Sequence, residues 1–397
     1  MVDMTPPKYV RSILRTLKIH GYPSCIVGGC VRDLILGTEP NDWDIATAAR
    51  PEEVMELFPD SIPTGIKHGT VTVRSDSRFV EVTTFRSDGE YADHRHPDTV
   101  SFVGDLNTDL SRRDFTMNAI AVTSDGDIID PYKGVEDISA GIIRCVGIPE
   151  KRFDEDALRM LRAFRFSARL GFEIEPETLR AIEENAELTA RLSSERVRDE
   201  IEKMLLTACP EILYHVIDCG LLDSYLKKHL SRDDGLLRIA ALKKRPVPRW
   251  ALFSAILLAD ECISDVKSFL VSLHLDGKTI HCCSVACEML KKAPPENRKE
   301  WKILLHRHGI DSVICAALCW DAIYDEEFEP FLQEIIRSGE CFTLKELAVN
   351  GKDLAAIGLR GKQLGDMLEF LLEYVIEYPE NNCKDVLMAL AAAGTDL

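Results

Sequence analysis

Long apolar runs are missing from this chain. The longest, Trp250 to Ala259, ends at Asp260-Glu261 and falls well short of the roughly 20 residues a helix needs to cross a bilayer. Residues 1–19 hold no continuous apolar stretch either, so no signal peptide is expected. Positive charge is scarce: 48 Lys and Arg face 66 Asp and Glu, a net charge of -18. Nonspecific nucleic-acid binding rests on neutralising phosphates, so any RNA contact must be local. No C-x-x-C pair occurs among the 13 cysteines. Cys282, Cys283, Cys287, Cys315 and Cys319 lie in apolar helical segments, where cysteine behaves as a small buried hydrophobe rather than a zinc ligand. Reduced thiols and a cytoplasmic setting are expected. With 397 residues, 46% of them hydrophobic, the chain can build several cores, and two to four domains are expected.

The densest chemistry lies near the start. Cys25-Ile26-Val27-Gly28-Gly29-Cys30-Val31-Arg32-Asp33 reads as a strand whose end lets the backbone approach a phosphate before a helix opens. Asn41-Asp42-Trp43-Asp44-Ile45 follows. Side chains alternate along a strand, so Asp42 and Asp44 point one way and Trp43 into packing. Two carboxylates on one face suit Mg2+, a hard cation usually held by one or two carboxylates plus substrate phosphates. In Arg78 to Phe85 the same alternation sets Glu81 and Thr83 opposite Val80 and Val82, and makes Glu81 the candidate third acid of a two-metal clamp. D-x-D alone also describes an exposed turn; the glycines and Glu81 favour nucleotidyl transfer.

These motifs, with Arg112-Arg113-Asp114-Phe115-Thr116-Met117-Asn118-Ala119 and Glu155-Asp156-Ala157-Leu158-Arg159, resemble the class II tRNA nucleotidyltransferases, the CCA-adding enzymes, a family that includes bacterial poly(A) polymerases. The resemblance implies an α+β architecture: an N-terminal polymerase-beta-like head with a mixed sheet, then an all-helical neck, body and tail. The corresponding bounds are 1–148 for the head, 149–205 for the neck, 206–293 for the body and 294–397 for a tRNA-binding tail. Composition agrees, since beta-type runs (69–74, 79–85, 119–122, 142–146) give way to helical periodicity past Gly147-Ile148-Pro149. The resemblance further implies CTP and ATP as substrates, tRNA as partner, and nucleotide contacts from Arg113. Alternatives are a relative adding only CC, only A or a poly(A) tail, and a noncatalytic RNA-binding protein on the same fold. A homodimer is left open.

Gly28, Gly29 and Arg32 are assigned to the triphosphate. Arg113, Asp114 and Asn118 make a phosphate and ribose site, because arginine grips phosphate bidentately while Asp and Asn serve sugar hydroxyls. A continuous helix from Phe153 to Arg165 would set Phe153, Ala157, Met160, Leu161, Phe164 and Ala168 on one face and Asp156 beside Arg159 on another. Cytosine and adenine both present an exocyclic amine next to a ring-nitrogen acceptor, so Asp156 can accept and Arg159 donate, whereas guanine and uracil have the opposite polarity. Arg162 and Arg165 continue at steps of about 4.5 Å and can follow the base toward its triphosphate or steady Asp156. A solvated ion-pair face is the plainer reading of such a helix.

Residues 86–100, with Tyr91, Asp93, Arg95 and Pro97, form a polar loop that the resemblance ties to the switch from C to A addition. Ser193 to Glu200 opens a helix. A basic island (Lys227, Lys228, His229, Arg232, Arg238, Lys243, Lys244, Arg245, Arg249) suits either tRNA phosphates or a solvated helix pair, and Gly361-Lys362 either a backbone phosphate or a helix junction.

Overall fold

Apolar residues at helical spacing, Val10, Ile13, Leu14 and Leu17, bury one side of the first helix, α1 (Lys8–Ile19), against the sheet that follows. The computed structural model describes residues 4–88, 100–226, 234–242, 245–259 and 262–394. Up to residue 148 the order is α1, β1 (Ser24–Val27), α2 (Gly29–Ile35), β2 (Asp44–Thr47), α3 (Pro51–Leu57), β3 (Ile62–Gly65), β4 (Thr70–Ser75), β5 (Arg78–Thr84), β6 (Arg86–Asp88), β7 (Val100–Phe102), α4 (Leu106–Ser111), β8 (Ala121–Thr123), β9 (Ile128–Ile129), α5 (Gly134–Ala140) and β10 (Ile142–Ile143). Seven strands form one mixed sheet in the order β3-β4-β5-β2-β1-β8-β9. The β2–β5 pair is parallel; its neighbours are antiparallel.

Register divides the sheet into two faces. Ile26 opposes Ile45, Ile45 opposes Val82 and Val82 opposes Val71, so these side chains share one face. Cys25, Val27, Ala46 and Phe85 fill a core on the other with Leu110, Ala119, Ala121 and Val146. Two expected strands are shorter than their beta-type runs. The run at 119–122 begins its strand only at Ala121, because Thr116–Asn118 winds into a 3-10 turn, and β10 stops at Ile143 and pairs with β11 (Glu173–Ile174).

The helices that follow are α6 (Pro149–Glu155), α7 (Leu158–Leu170), α8 (Pro176–Glu184), α9 (Ser194–Leu205) and α10 (Ile212–Asp218). Then come α11 (Pro246–Leu257), α12 (Ile263–Ser272), α13 (Gly277–Leu290), α14 (Arg298–His308), α15 (Ile310–Tyr324), α16 (Phe328–Arg337), α17 (Gly351–Ala356), α18 (Gly361–Glu377) and α19 (Lys384–Gly394). Contacts group the chain into Met1–Met204 with Ile212–His229, and Leu205–Glu211 with Leu230–Leu397. In the second unit, Trp301 and Trp320 meet edge to face at 5.7 Å, and α18 buries Leu371, Leu372, Val375 and Ile376. The thiols of Cys283, Cys287 and Cys319 donate to the backbone carbonyls of Val247, Ala251 and Pro248, as buried small side chains do. Among the described residues no helix is long and apolar enough to cross a membrane.

Candidate active site

β1 ends at Gly28, whose φ of +81° suits glycine. A Cβ there would lie 2.8 Å from Arg113 Nη1, so the missing side chain is what admits the guanidinium. Asp44 opens β2 and is the register partner of Glu81 on β5, which sets both carboxylates on the face that carries Ala46. Trp43 is buried as expected. Asp42 lies in the bend before the strand rather than on it, exposed, since β2 starts at Asp44. Burial, then the charge of Glu81, then that of Asp42 push the Asp44 carboxyl up to about 6, and Arg113 offsets this only in part.

Behind these acids the polar groups are heavily cross-linked. Asp109, missed in the sequence, is buried and accepts from Arg112 (2.7 Å) and Arg113 (3.3 Å). Burial disfavours its charge, yet the two arginines outweigh burial and hold its carboxyl below the usual range. Asp114 Oδ1 accepts from the Phe115 N–H and Asn118 Nδ2; its Oδ2 accepts both Nε (2.9 Å) and Nη2 (2.5 Å) of Arg162. Asn118 passes the chain on by accepting from Arg32 Nη1 at 2.7 Å. Arg32 is itself buried and donates twice to Asp33. Arg113 Nε is buried with no hydrogen-bond partner among the described residues. Phe166 packs edge to face with Phe115 and carries three guanidiniums around its ring, Arg165 at 4.1 Å, Arg32 at 5.1 Å and Arg162 at 5.4 Å.

The helix expected over 153–165 is broken. α6 ends at Glu155, Asp156 is extended (φ -149°, ψ 100°), and α7 starts at Leu158. The cause is a competing local bond: Asp156 Oδ1 accepts the Leu158 N–H (3.1 Å), the capping behaviour that makes aspartate a poor helix interior. Asp156 and Arg159 are therefore not paired. Arg196 of α9, another residue missed, grips Asp156 through two bonds of 3.1 and 2.8 Å. Arg159 is buried rather than on a solvated face and donates to Glu155 and to the carbonyls of Arg152 and Arg112. Arg162 holds Asp114, and Arg165 holds Glu200 at 2.6 Å, so neither steadies Asp156.

Outside this cluster, Arg249 of the basic island is buried and donates to the carbonyls of Leu205, Thr207 and Ala240, which removes it from any phosphate surface; Arg238 and Arg245 are exposed. Gly361 and Lys362 are exposed at the start of α18. Tyr91, Asp93, Arg95 and Pro97, and Lys227, Lys228, His229, Arg232, Lys243 and Lys244, lie outside the described residues.

Three family descriptions match consecutive parts of the chain: the poly A polymerase head domain over residues 24–144, "Probable RNA and SrmB- binding site of polymerase A" over 171–231, and tRNA nucleotidyltransferase domain 2 over 248–391. The CCA-adding enzyme of Geobacillus kaustophilus is 42% identical over 384 residues, 94% of this chain and 92% of the relative. That of Enterococcus faecalis is 34% identical over 97% and 95% of the two chains. The crystal structure of the Bacillus stearothermophilus CCA-adding enzyme in complex with CTP is similar with a TM-score of 0.85 and 36% identity, covering 99% and 98%. The Thermotoga maritima CCA-adding enzyme complexed with tRNA shares the fold, with a TM-score of 0.70 at 21% identity over 99% and 97%.

Proposed function

We propose roles for individual residues from one premise: this chain belongs to the family of CCA-adding tRNA nucleotidyltransferases. It adds or repairs the 3'-terminal CCA of tRNA from CTP and ATP without a nucleic-acid template and releases pyrophosphate. The observation that carries the catalytic assignment is the parallel register of Asp44 with Glu81 on one sheet face, with Asp42 in the bend just before β2 adding to the repulsion on Asp44.

The family uses a divalent metal, and the residues fit one. The donors are all hard carboxylate oxygens, and their repulsion is what a cation relieves. Asp42 and Asp44 would hold Mg2+, with Glu81 as the third acid of the face. Bound there, Mg2+ supplies charge stabilisation to the attacking and leaving oxygens.

The other roles belong to the protein. Arg113, beside Gly28 with one N–H unpartnered, holds the incoming triphosphate. Asp109 aims Arg113, and Arg32 acts by fixing Asn118, with Asp114, for the ribose. Asp156 reads the base. Its carboxylate has about four lone-pair directions, and the Leu158 N–H and two Arg196 N–H groups occupy three. One direction on Oδ2 is left for an exocyclic amine. Arg159 donates to the ring nitrogen once the base displaces Glu155. The tRNA 3' hydroxyl then attacks the α-phosphorus in line, and catalysis is positioning plus charge stabilisation.

Incubating tRNA that lacks CCA with CTP, with ATP and with both, and reading product length on a gel, tests this assignment. Two residues should be added with CTP alone and three with both; no extension with CTP would sink it, and a product that stops at CC would mark a partial-activity relative. A cytoplasmic setting agrees with 13 free cysteines.

A further inference from the structure

The sheet of the head has a second face, and on it lies a surface the transfer reaction does not use. Ser75 donates to the Tyr9 carbonyl of α1 at 3.0 Å. Ser75 shares its side of β4 with Val71 and Val73, whereas Thr72 is the register partner of Glu81. α1 therefore covers the side opposite Asp44 and Glu81.

In a chain of net charge -18, α1 has no acidic residue, and Lys8, Arg11, Arg15 and Lys18 are all exposed on it. At about 100° per residue the four fall within an arc of about 80°, and they extend about 15 Å along the axis. They line a cleft of about 1150 Å³ with Ser124 and the half-exposed Ile128. Lys18 pairs with Asp125 at 2.7 Å across the cleft. The side chains of Lys8, Arg11 and Arg15 have no hydrogen-bond or ion-pair partner among the described residues. A line of charge this long exceeds a single phosphate and matches a chain of them. Elsewhere the excess of acids repels a polyanion, so a local basic stripe is where one can settle.

We propose that this stripe and cleft bind the phosphate backbone of RNA, at a stretch of the tRNA remote from the 3' end being extended. The proposal rests on tRNA being the substrate. Because the stripe and the carboxylates are on opposite sides of the sheet, the same few nucleotides cannot occupy both.

The test is binding of fluorescently labelled tRNA lacking CCA, and of a hairpin carrying its acceptor stem alone, across a range of salt. The proteins are the wild type, Arg11→Glu/Arg15→Glu and, should charge reversal impair folding, Arg11→Gln/Arg15→Gln. The reversal should weaken tRNA binding about tenfold at low salt and lower the slope of log Kd against log salt by about 2, near one per phosphate contact. Hairpin binding, the melting temperature and kcat at saturating tRNA should stay at wild-type values. Unchanged tRNA affinity and slope in a folded variant would overturn the proposal, as would an equal loss for the hairpin. CTP addition by the wild type judges the reaction separately, since the binding comparison needs no turnover.

Discussion

Two groups of carboxylates in the same part of the molecule are treated in opposite ways. On the sheet face and the bend leading into it, Asp44, Glu81 and Asp42 have more negative charge than Arg113 can balance, and Asp44 is pushed up to about 6. At the junction of α6, α7 and α9, each acid has an arginine: Asp114 has Arg162, Asp156 has Arg196, Glu200 has Arg165. Burial opposes the Asp114 charge, but Arg162 and Asn118 outweigh it and hold that carboxyl far below the usual range. On the assignment proposed above, substrate and cation would complete the first group. The second is already paired, as preorganised recognition of a base would require.

The sharpest way to break this comparison is at the incomplete group. Asp42→Ala or Asp44→Ala should lower transfer of both CTP and ATP about a thousandfold. Melting temperature and tRNA affinity should barely move, because neither change removes a stabilising partner. Wild-type-like turnover would remove the assignment, and a collapse of the melting temperature would show that these acids are structural after all.

The complete group should respond in stability. Asp114→Asn removes the buried carboxylate that pairs with the half-buried Arg162 and should cost about 2 kcal/mol in urea unfolding at neutral pH. A carboxyl whose folded value is depressed contributes above its unfolded value and loses that contribution as pH falls. The gap between wild type and variant should therefore narrow below about pH 4. A gap that persists into acid would assign the loss to packing.

Smaller effects sharpen the base-reading assignment. Asp156→Ala and Arg159→Ala should each reduce the CTP-to-UTP ratio of kcat/KM by about 10- to 100-fold. Unchanged ratios, at whatever stability, would defeat the protein-template reading. Arg196→Ala leaves Asp156 in place but unclamped. It should lower the same ratio about fivefold, with partial rescue by Arg196→Lys, since Lys can supply one donor but not a fork. A change in melting temperature without a change in the ratio would make Arg196 merely structural.

What could be read from the residues themselves was the chemistry carried by short local patterns. Alternation placed Glu81 and Thr83 opposite Val80 and Val82; Trp43 is buried as expected, but from the bend before β2 and not by strand alternation. A pattern of 3.6 residues carried the face of α7. The misses come from groups far apart in sequence or from local competition. Arg196 meets Asp156 across 40 residues, and nothing near Ser193 announces that partner. Asp109 reads as an ordinary helix acid until the fold encloses it with Arg112 and Arg113. The break at Asp156 was concealed because the apolar positions around it, Phe153, Ala157 and Met160, keep a helical rhythm through the interruption. Arg32 was assigned to a phosphate by its place after two glycines, while Asp33 and Asn118 enclose it.

The parallel pairing of β2 with β5 also bears on how activity emerges during folding. Asp44 and Glu81 are 37 residues apart in the chain but meet as nearest neighbours, and α3, β3 and β4 lie between them. The antiparallel hairpin of β4 and β5 can form early from local contacts, whereas the meeting of Asp44 with Glu81 must await closure of the larger loop. A nascent chain ending before residue 81 would thus have the glycine turn and both acids of the D-x-D but not the carboxylate that meets Asp44. Because closure entropy grows only with the logarithm of loop length, a few residues inserted near Asp60 at the end of α3 would delay that meeting very little.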